Sequence, residues 1–488
     1  MEEEEERRLE SFLKWAAELG ITDSTKNQQS QNATSHSCLG HSLKVSNFPD
    51  AGGRGLGAVR DLRKGEMILR VPKSALITSK TLSFNDHKLY LALNRHPSLS
   101  STQRLTVCLL YEMGKGASSW WYPYLMHFPR SYHILATFGE FEKQALQVDD
   151  AIWTTEKAIA KAELEWKEAN MLMKELKLKR QLLSFTAWLW ASAAISSRTL
   201  HIHWDEAGCL CPVGDLFNYD APDEATPSLQ VSSLRNGESM DALDSEDQLA
   251  QSQRLTDGGF EEDVAAYCFY ARKSYQEGEQ VLLSYGTYTN LELLEHYGFF
   301  LNKNPNDKVF IPLEPKMYCS SSWPKESLYI HQDGKPSFAL LSTLRLWATP
   351  QSQRRSVGHL AYSGSQLSMD NEISVMRWIS KNCHLILKNF PSSIKEDSFL
   401  LSAIDEIPNS CTALELRNMM STLGGEGCNF LRAIGMLNRE SAANLHLSKK
   451  ARSSIERWKL AVQWRLWYKK SLVDCIDYCG TVTKLFQS

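Results

Sequence analysis

The chain has 488 residues, with 54 lysines and arginines against 57 aspartates and glutamates and a formal net charge of −3. This near balance disfavours sequence-independent binding to nucleic acid, which usually goes with a strong basic excess. Hydrophobic residues make up 43% of the chain and charged residues 23%, which is typical of a globular protein with a sizeable core.

Cysteine usage and the N-terminus predict the compartment. The 11 cysteines show no framework spacing, and the chain opens with a run of glutamates rather than a signal or transit peptide. No apolar run reaches transmembrane length. We therefore expect an intracellular protein, in the cytoplasm or the nucleus, that does not bind membranes. The pairs Cys209/Cys211 and Cys475/Cys479 could each form half of a zinc site, but no second pair lies nearby in sequence, so we expect no metal.

The N-terminal residues 1–42 are predicted to form a helix and a flexible loop. Apolar residues such as Phe12 and Ala16 fall at helical spacing within Glu2–Leu19. The stretch Asp23–Ser37 that follows is polar and is typical of a loop.

Short strands and turns begin near residue 43 and include two similar segments, Ala58–Leu69 and Ala271–Leu282. In each segment a glycine follows the alanine by seven positions (65 − 58 and 278 − 271), and Gly-Glu leads into an apolar run. We interpret each as a strand, a polar turn whose glycine takes a positive φ, and a returning strand.

The remaining regions differ in character. Residues 141–200 are rich in Ala, Leu, Lys and Glu at three- and four-residue spacing and predict a helical insertion, whereas polar residues 232–263 predict an exposed loop. The chain becomes helical again beyond residue 310, where we place a domain boundary; the expected helices are Leu340–Trp347, Glu372–Leu387, Ala413–Leu423 and Lys449–Leu472. The sequence thus predicts an α+β domain over residues 43–310 and an all-α domain over residues 311–488.

The segment Val281–Phe300 carries the most specific pattern. Its first residues, Val281–Tyr285, predict a strand that ends in a tight turn. Thr289 and Glu292 have the spacing of a capping box, and Gly298 suits the left-handed position after a short helix. A strand, a turn, a short helix and a glycine stop are therefore expected.

Two tyrosines occupy the ends of these elements, Tyr285 at the strand exit and Tyr297 at the end of the helix. A short helix can bring two such phenols to one pocket. Buried tyrosines at element ends more often satisfy a single hydrogen bond, so the pattern alone does not establish a catalytic role.

Ser284–Phe299, with the pattern Ser-Tyr-Gly-x3-Asn-x-Glu-Leu-Leu-x2-Tyr-Gly-Phe, resembles the C-terminal signature of SET-domain methyltransferases, nearest the branch of Rubisco large-subunit methyltransferase. Four more motifs of this branch follow the same order, at Gly53–Ala58, Ser119–Tyr124, Ser197-Arg198 and Pro212–Asn218. The resemblance implies a β-rich SET fold with a helical insertion, a helical substrate-binding domain after it, and S-adenosyl-L-methionine as the cofactor.

The resemblance also implies the site residues. The implied cofactor-binding residues are Gly52, Gly53, Arg54, Arg198, Asp215, Asn218, Tyr219, Tyr285 and Phe299. Arg198 can form a bidentate pair of hydrogen bonds with a carboxylate such as the cofactor's own. A structural ion pair between Arg198 and Asp215 is an equally good interpretation.

Two positions depart from the family pattern. Tyr219 stands where family members usually have histidine, and Gly52 where some relatives carry an acidic residue. A backbone contact between residue 219 and the adenine would tolerate the tyrosine, whereas a contact through the imidazole would be lost.

The implied reaction explains the tyrosines. Methyl transfer to nitrogen is an in-line displacement, and the accepting amine must be neutral to offer a lone pair. Tyr285 and Tyr297 are the candidate catalytic residues, each a phenol oxygen that holds the amine. Phe299 would be part of the aromatic wall, with core packing as the alternative.

Three functions remain open at this point. The first is a protein-lysine N-methyltransferase, and the second is the related methylation of histidine. The third is a SET-fold binding or scaffold protein without turnover, and Tyr219 is the strongest support for it. The segment Leu301–Pro315 lacks the cysteines of the zinc cluster found in many histone-directed relatives, so we expect a non-histone protein substrate. We also expect a monomer.

Overall fold

The computed structural model describes residues 2–24, 37–49, 53–84, 86–222, 257–408, 410–436 and 446–487. The chain divides into two compact units: the first comprises Met1–Tyr132 and Ile159–Thr287, and the second His133–Ala158 and Tyr288–Ser488. The division after Thr287 precedes the domain boundary expected near residue 310, which stays a prediction.

The strands and the helices are each numbered in chain order. The strands are β1 (Leu43–Phe48), β2 (Gly53–Ala58), β3 (Met67–Pro72), β4 (Thr199–Ile202), β5 (Asp205–Leu210), β6 (Asn218–Tyr219), β7 (Gly258–Glu261), β8 (Ala266–Tyr270), β9 (Gln280–Leu283), β10 (Lys308–Val309) and β11 (Ile330–His331). The helices up to residue 200 are α1 (Glu2–Glu18), α2 (Ser79–Phe84), α3 (His87–Arg95), α4 (Ser101–Lys115), α5 (Tyr122–Leu125), α6 (Glu140–Gln144), α7 (Asp149–Glu175) and α8 (Phe185–Arg198).

The helices that follow are α9 (Asn290–His296), α10 (Pro315–Tyr318), α11 (Phe338–Ala348), α12 (Arg354–Tyr362), α13 (Met369–Asn389), α14 (Ile394–Asp405), α15 (Ala413–Thr422), α16 (Gly424–Ala433) and α17 (Lys449–Leu485). The four C-terminal helices predicted from spacing are confirmed as α11, α13, α15 and α17. None of the helices in the described part of the chain is long and apolar enough to span a membrane.

The sheets of the first unit are built from strands distant in sequence. One has the order β1-β2-β9-β6, in which β6 and β9 run parallel, and another has the order β3-β8-β7. The two similar segments share these sheets: β2 pairs with β9 and β3 pairs with β8. Neither segment therefore forms an ordinary hairpin, in which a returning strand pairs with the strand before its own turn.

The turns of the two segments bond to each other reciprocally. Gly65 N donates to Ala271 O at 2.7 Å, and Gly278 N donates to Ala58 O at 2.8 Å. Gly65 and Gly278 have φ values of +80° and +86°, which confirms the positive φ expected at both glycines. The strands of each segment are thus held by the other segment, over a long sequence separation that local patterning does not reveal.

The predicted helical insertion is confirmed as α6, α7 and α8. The predicted exposed loop lies outside the described residues up to residue 256. Its last part does not form a loop, because Gly258–Glu261 pairs with β8 as strand β7 and Phe260 packs against Trp204 with ring centroids 4.4 Å apart. The expected loop at Asp23–Ser37 lies mostly outside the described residues.

Helix α9 begins and ends as the sequence predicts. Thr289 Oγ1 accepts from Glu292 N, and the Glu292 carboxylate accepts from Thr289 N at 2.7 Å, so the capping box is confirmed. Gly298 has φ +75° and donates its N–H to Leu293 O at 2.9 Å. A Cβ at Gly298 would lie 2.9 Å from the carbonyl carbon of His133, so a side chain there would displace backbone.

The second unit contains a fully paired cluster of buried charges. Asp397 accepts from Arg465 Nη2 at 2.7 Å, from Lys469 Nζ at 2.6 Å and from Ser392 Oγ at 2.7 Å. Arg465 also donates to both oxygens of Glu426 at 2.9 Å. The Asp397 and Arg465 side chains are fully buried, Lys469 is 1% exposed and Glu426 is 26% exposed, so the two cations balance one buried and one partly exposed carboxylate.

Candidate active site

The sequence-predicted residues of the first unit lie on neighbouring elements. Gly53 and Arg54 begin β2, Asn218 and Tyr219 form β6, and β9 lies between these two strands in the sheet. Arg198 ends α8, Asp215 lies in the turn before β6, and Tyr285 follows β9. Gly52 lies outside the described residues.

A buried ion pair links the end of α8 to the turn before β6. Arg198 Nη1 and the Tyr124 hydroxyl both donate to Asp215 Oδ2 at 2.8 Å, and Arg198 Nε donates to the Tyr132 hydroxyl at 3.1 Å. Burial disfavours the cation, but the Asp215 carboxylate and the two phenols outweigh it, so the pKa of Arg198 is raised. Arg198 therefore remains a fixed positive charge.

Tyr124 and Tyr132 were not assigned a role from the sequence. Tyr124 lies within the motif Ser119–Tyr124, which was recognised only as a family element, and Tyr132 lies outside any motif. Burial, followed by the adjacent Asp215 carboxylate, raises the pKa of Tyr124 well above its usual value. Its hydroxyl is therefore a permanent donor to Asp215.

The second carboxylate oxygen of Asp215 distinguishes this ion pair from one that is fully hydrogen-bonded. Oδ1 is buried and has no hydrogen-bond partner among the described residues, and the Asp215 side chain is only 1% exposed. An unpaired buried acceptor is unfavourable, so the site favours an additional donor. S-adenosylmethionine carries an ammonium group and ribose hydroxyls, and the residues therefore fit the cofactor that the sequence resemblance implies.

The start of β2 approaches the Asn218 amide closely. A Cβ at Gly55 would lie 2.7 Å from Asn218 Nδ2 and 2.7 Å from Gln280 Nε2, so a side chain there would displace these amides. Asn218 Nδ2 donates to Arg54 O at 3.4 Å. At Gly53, by contrast, a Cβ would meet no heavy atom of the described chain within 4 Å. The strand thus combines a tightly packed position with an open one.

Arg54 is held by His127. Its Nη2 donates to His127 O at 2.8 Å, and its Nη1 lies 3.3 Å from His127 Nδ1. His127 Nε2 lies 3.1 Å from the carbonyl oxygen of Arg8 in α1. A carbonyl only accepts, so Nε2 carries the proton and Nδ1 accepts from Arg54. Burial lowers the pKa of His127, which keeps the ring neutral and suits this arrangement.

Tyr285 is buried against β6. Its hydroxyl donates to the carbonyl oxygen of Phe217, and burial raises the pKa of its phenol. The rings of Tyr219 and Tyr285 lie with centroids 5.2 Å apart, and the Tyr219 hydroxyl donates to Gly286 O at 2.8 Å. Tyr285 is therefore a neutral phenol whose proton is directed to a backbone acceptor.

Tyr297 lies in an aromatic cluster of the second unit. Its hydroxyl donates to the Tyr288 hydroxyl at 3.4 Å, with ring centroids 5.4 Å apart, and its ring lies 5.9 Å from that of Phe299. Asn304, which is fully buried, donates to Tyr288 O at 2.9 Å. Tyr288 was not singled out from the sequence, although its place three residues after Tyr285 in the most specific segment was a usable signal.

Comparison with known proteins gives the family. Protein SET DOMAIN GROUP 40 of Arabidopsis thaliana is 58% identical over 480 residues, which are 98% of this chain and 96% of that protein. The chain belongs to the family of SET-domain proteins. The family model described as Rubisco LSMT substrate-binding matches residues 306–419.

More distant relatives agree with this placement. An actin-histidine N-methyltransferase of Otolemur garnettii is 23% identical over 445 residues, which are 84% of this chain but only 66% of that protein. The solved structure of Rubisco LSMT bound to sinefungin and monomethyllysine matches with a TM-score of 0.57 at 16% identity, over 98% of this chain and 93% of that chain. The predicted fold class and family resemblance are confirmed.

Proposed function

We propose that this SET-domain protein is an S-adenosylmethionine-dependent methyltransferase that acts on protein lysine. The observation that carries the proposal is the direction of the two phenol protons. Tyr285 donates its proton to Phe217 O, and Tyr297 donates its proton to the Tyr288 hydroxyl. Each phenol oxygen therefore offers its lone pairs as an acceptor for an amine N–H.

This arrangement suits a neutral amine. A free lysine has a pKa of about 10.4, so a site that methylates it must favour the deprotonated form by desolvation or a nearby positive charge. A neutral lysine ε-amine has two N–H donors and a lone pair. A phenol that accepts an N–H group leaves the amine lone pair free, and the raised pKa of Tyr285 keeps it a neutral acceptor at physiological pH. Positioning of the amine, rather than strong base catalysis, is the role of the tyrosines.

The residues proposed for the cofactor pocket are those of the first unit. When bound, S-adenosylmethionine supplies an activated methyl group on a sulfonium. Arg198 provides a cation for a carboxylate, and Asp215 Oδ1 provides a buried acceptor for an ammonium or hydroxyl. Gly53, Arg54 and Asn218 complete the pocket, together with Gly52 from outside the described residues.

The substrate is proposed to be a non-histone protein. The family model for substrate binding covers residues 306–419, which supports recognition of a protein by helices of the second unit. Methylation of histidine is the second candidate, because an actin-histidine N-methyltransferase is among the relatives. An inactive SET-fold scaffold, by contrast, would transfer no methyl group in the experiment below.

Transfer of a labelled methyl group to proteins of a cell extract tests the proposal. We expect one or a few labelled bands with wild type, and a rate at least about 10-fold lower in Tyr285→Phe and Tyr297→Phe, since lost positioning costs this much or more. Tyr90→Phe is the matched control, because Tyr90 is 51% exposed. Full activity in both tyrosine variants would refute the proposed roles.

Mass spectrometry of the labelled band identifies the methylated residue. Methyl-lysine supports the first candidate. Methyl-histidine selects the second and leaves the cofactor pocket as proposed.

A further inference from the structure

The Tyr219 hydroxyl makes a buried hydrogen bond at the position where family members usually have histidine. It donates to Gly286 O at 2.8 Å, and the Tyr219 side chain is only 7% exposed. Gly286 directly follows Tyr285, so this hydrogen bond fixes the backbone next to the candidate catalytic phenol. A buried neutral hydrogen bond of this kind stabilises the turn and removes conformational freedom from it.

Tyr219 also contacts Tyr285 directly. Their rings lie with centroids 5.2 Å apart at an angle of 41°, a tilted arrangement within the contact range of aromatic pairs. The strand that carries Tyr219 is paired with β9 in the register Tyr219↔Leu283, two residues before Tyr285. The acceptor of the Tyr285 proton, Phe217 O, lies two residues before Tyr219 on the same segment. The segment Phe217–Tyr219 thus holds Tyr285 at its ring and its hydroxyl, and holds the backbone on either side of it at Leu283 and Gly286.

We propose that Tyr219 is the positioning residue for Tyr285, and that its phenol, longer than an imidazole, is required because only the phenol reaches Gly286 O. This inference rests on the proposed function. An imidazole nitrogen ends closer to the backbone than a phenol oxygen does, so histidine on the same strand leaves the Gly286 carbonyl without its donor. The tyrosine that departs from the family pattern is therefore an adaptation of this chain. Restoring the family's histidine removes the hydrogen bond to Gly286 O.

Three variants test the inference. Tyr219→Phe removes only the hydroxyl, Tyr219→His restores the family residue, and Tyr90→Phe is the exposed control. Each is measured for S-adenosylmethionine affinity by calorimetry, for the initial rate of labelled-methyl transfer to extract protein at saturating cofactor, and for amide hydrogen exchange in the peptide around Gly286.

Tyr219→Phe is expected to bind the cofactor within about 3-fold of wild type but to transfer methyl roughly 10-fold more slowly, because positioning of the phenol affects the reaction more than binding. Tyr219→His is expected to be at least as slow. Exchange around Gly286 is expected to be faster in both variants and unchanged in Tyr90→Phe.

Two results would overturn the inference. The first is a Tyr219→Phe variant with the wild-type transfer rate and wild-type exchange. The second is a Tyr219→His variant that transfers methyl as fast as wild type or faster, which would mean that the family histidine is the better residue here. Failure of the proposed function is distinguishable, because wild type itself would then neither bind S-adenosylmethionine nor transfer methyl.

Discussion

Each unit of the protein buries an arginine–aspartate pair, and the two pairs differ in how completely they are bonded. In the second unit, Arg465 and Asp397 belong to a cluster in which Asp397 Oδ1 and Oδ2 both accept hydrogen bonds. In the first unit, Asp215 Oδ2 accepts from Arg198 and from Tyr124, but Oδ1 has no partner within the described chain. The Arg465–Asp397 pair is complete within the described chain, whereas the Arg198–Asp215 pair needs a donor from elsewhere.

This difference separates the two interpretations of Arg198 and Asp215 that the sequence left equal. A purely structural pair gains from full bonding, as Asp397 does, because an unpaired buried acceptor costs stability. The unpaired Asp215 Oδ1 therefore favours the ligand-binding interpretation. Four substitutions test the contrast, and they are ordered by expected effect.

The largest effect is expected from Asp397→Asn. Removing this carboxylate leaves the buried Arg465 and Lys469 with only the partly exposed Glu426 to balance them, so the free energy of unfolding should fall by about 3–5 kcal/mol. Urea denaturation measures the change. Asp405→Asn is the matched control: its partner Lys459 is 34% exposed and Asp405 is 47% exposed, so the loss there should stay below about 1 kcal/mol. Equal losses in the two variants would show that the buried cluster contributes no more to stability than the exposed Lys459–Asp405 pair.

Asp215→Asn should affect binding more than folding. We expect S-adenosylmethionine affinity to fall about 100-fold, or roughly 2.7 kcal/mol, because the buried acceptor becomes an amide. The stability loss should be smaller than in Asp397→Asn, since Arg198 keeps the Tyr132 hydroxyl and is 15% exposed. Calorimetry and urea denaturation give both values. An unchanged cofactor affinity with a large stability loss would mean that the pair is structural.

His133 tests whether an unpaired buried atom is sufficient to indicate a ligand site. Its Nδ1 is also buried without a partner among the described residues, and burial, with a smaller effect of Arg457, lowers the pKa of His133 to about 4. No cation or carboxylate of the described residues forms an ion pair with His133, so we expect no role in cofactor binding. His133→Phe should leave S-adenosylmethionine affinity unchanged.

The same variant should change the pH dependence of stability. The unfolded state binds a proton near pH 6.5 and the folded state only near pH 4, so the stability of wild type falls as the pH drops from 6.5 towards 4. At pH 5 this loss is about 2 kcal/mol. Urea denaturation at pH 7 and pH 5 should give a smaller decrease for His133→Phe than for wild type. Identical decreases would contradict the assignment.

Tyr288→Phe has the smallest expected effect. Without the Tyr288 hydroxyl, Tyr297 loses this acceptor for its proton. The proton can then point towards the amine and interfere with the N–H that the Tyr297 oxygen should accept. Methyl transfer should slow roughly 5-fold, about 1 kcal/mol, which is the scale of one neutral hydrogen bond. Initial rates beside Tyr90→Phe provide the measurement. A rate equal to that of the control would remove Tyr288 from the proposed mechanism.

The features that local sequence predicted are those that local interactions determine. The capping box of Thr289 and Glu292 and the left-handed Gly298 depend on residues within one short helix, and both are confirmed. The positive φ of Gly65 and Gly278 is equally local. The family resemblance extended the prediction from local elements to the fold. Five motifs in the family's order identify a topology that no single motif identifies.

The features that the sequence did not reveal depend on residues far apart in the chain. The exchange of strands between Ala58–Leu69 and Ala271–Leu282 joins segments about two hundred positions apart, and no local pattern encodes it. The donor from Tyr124 to Asp215 and the reach of Tyr219 to Gly286 are also long-range contacts. Tyr219 appeared in the sequence only as a departure from the family, and the structure gives it a partner.

Titration of the wild-type protein with S-adenosylmethionine in a calorimeter tests the central claim most directly. The contrast between Asp215 and Asp397 predicts saturable binding with one cofactor per chain in wild type, and much weaker binding in Asp215→Asn. Absence of binding by folded wild type at high cofactor concentration would contradict both the cofactor assignment and the methyltransferase function.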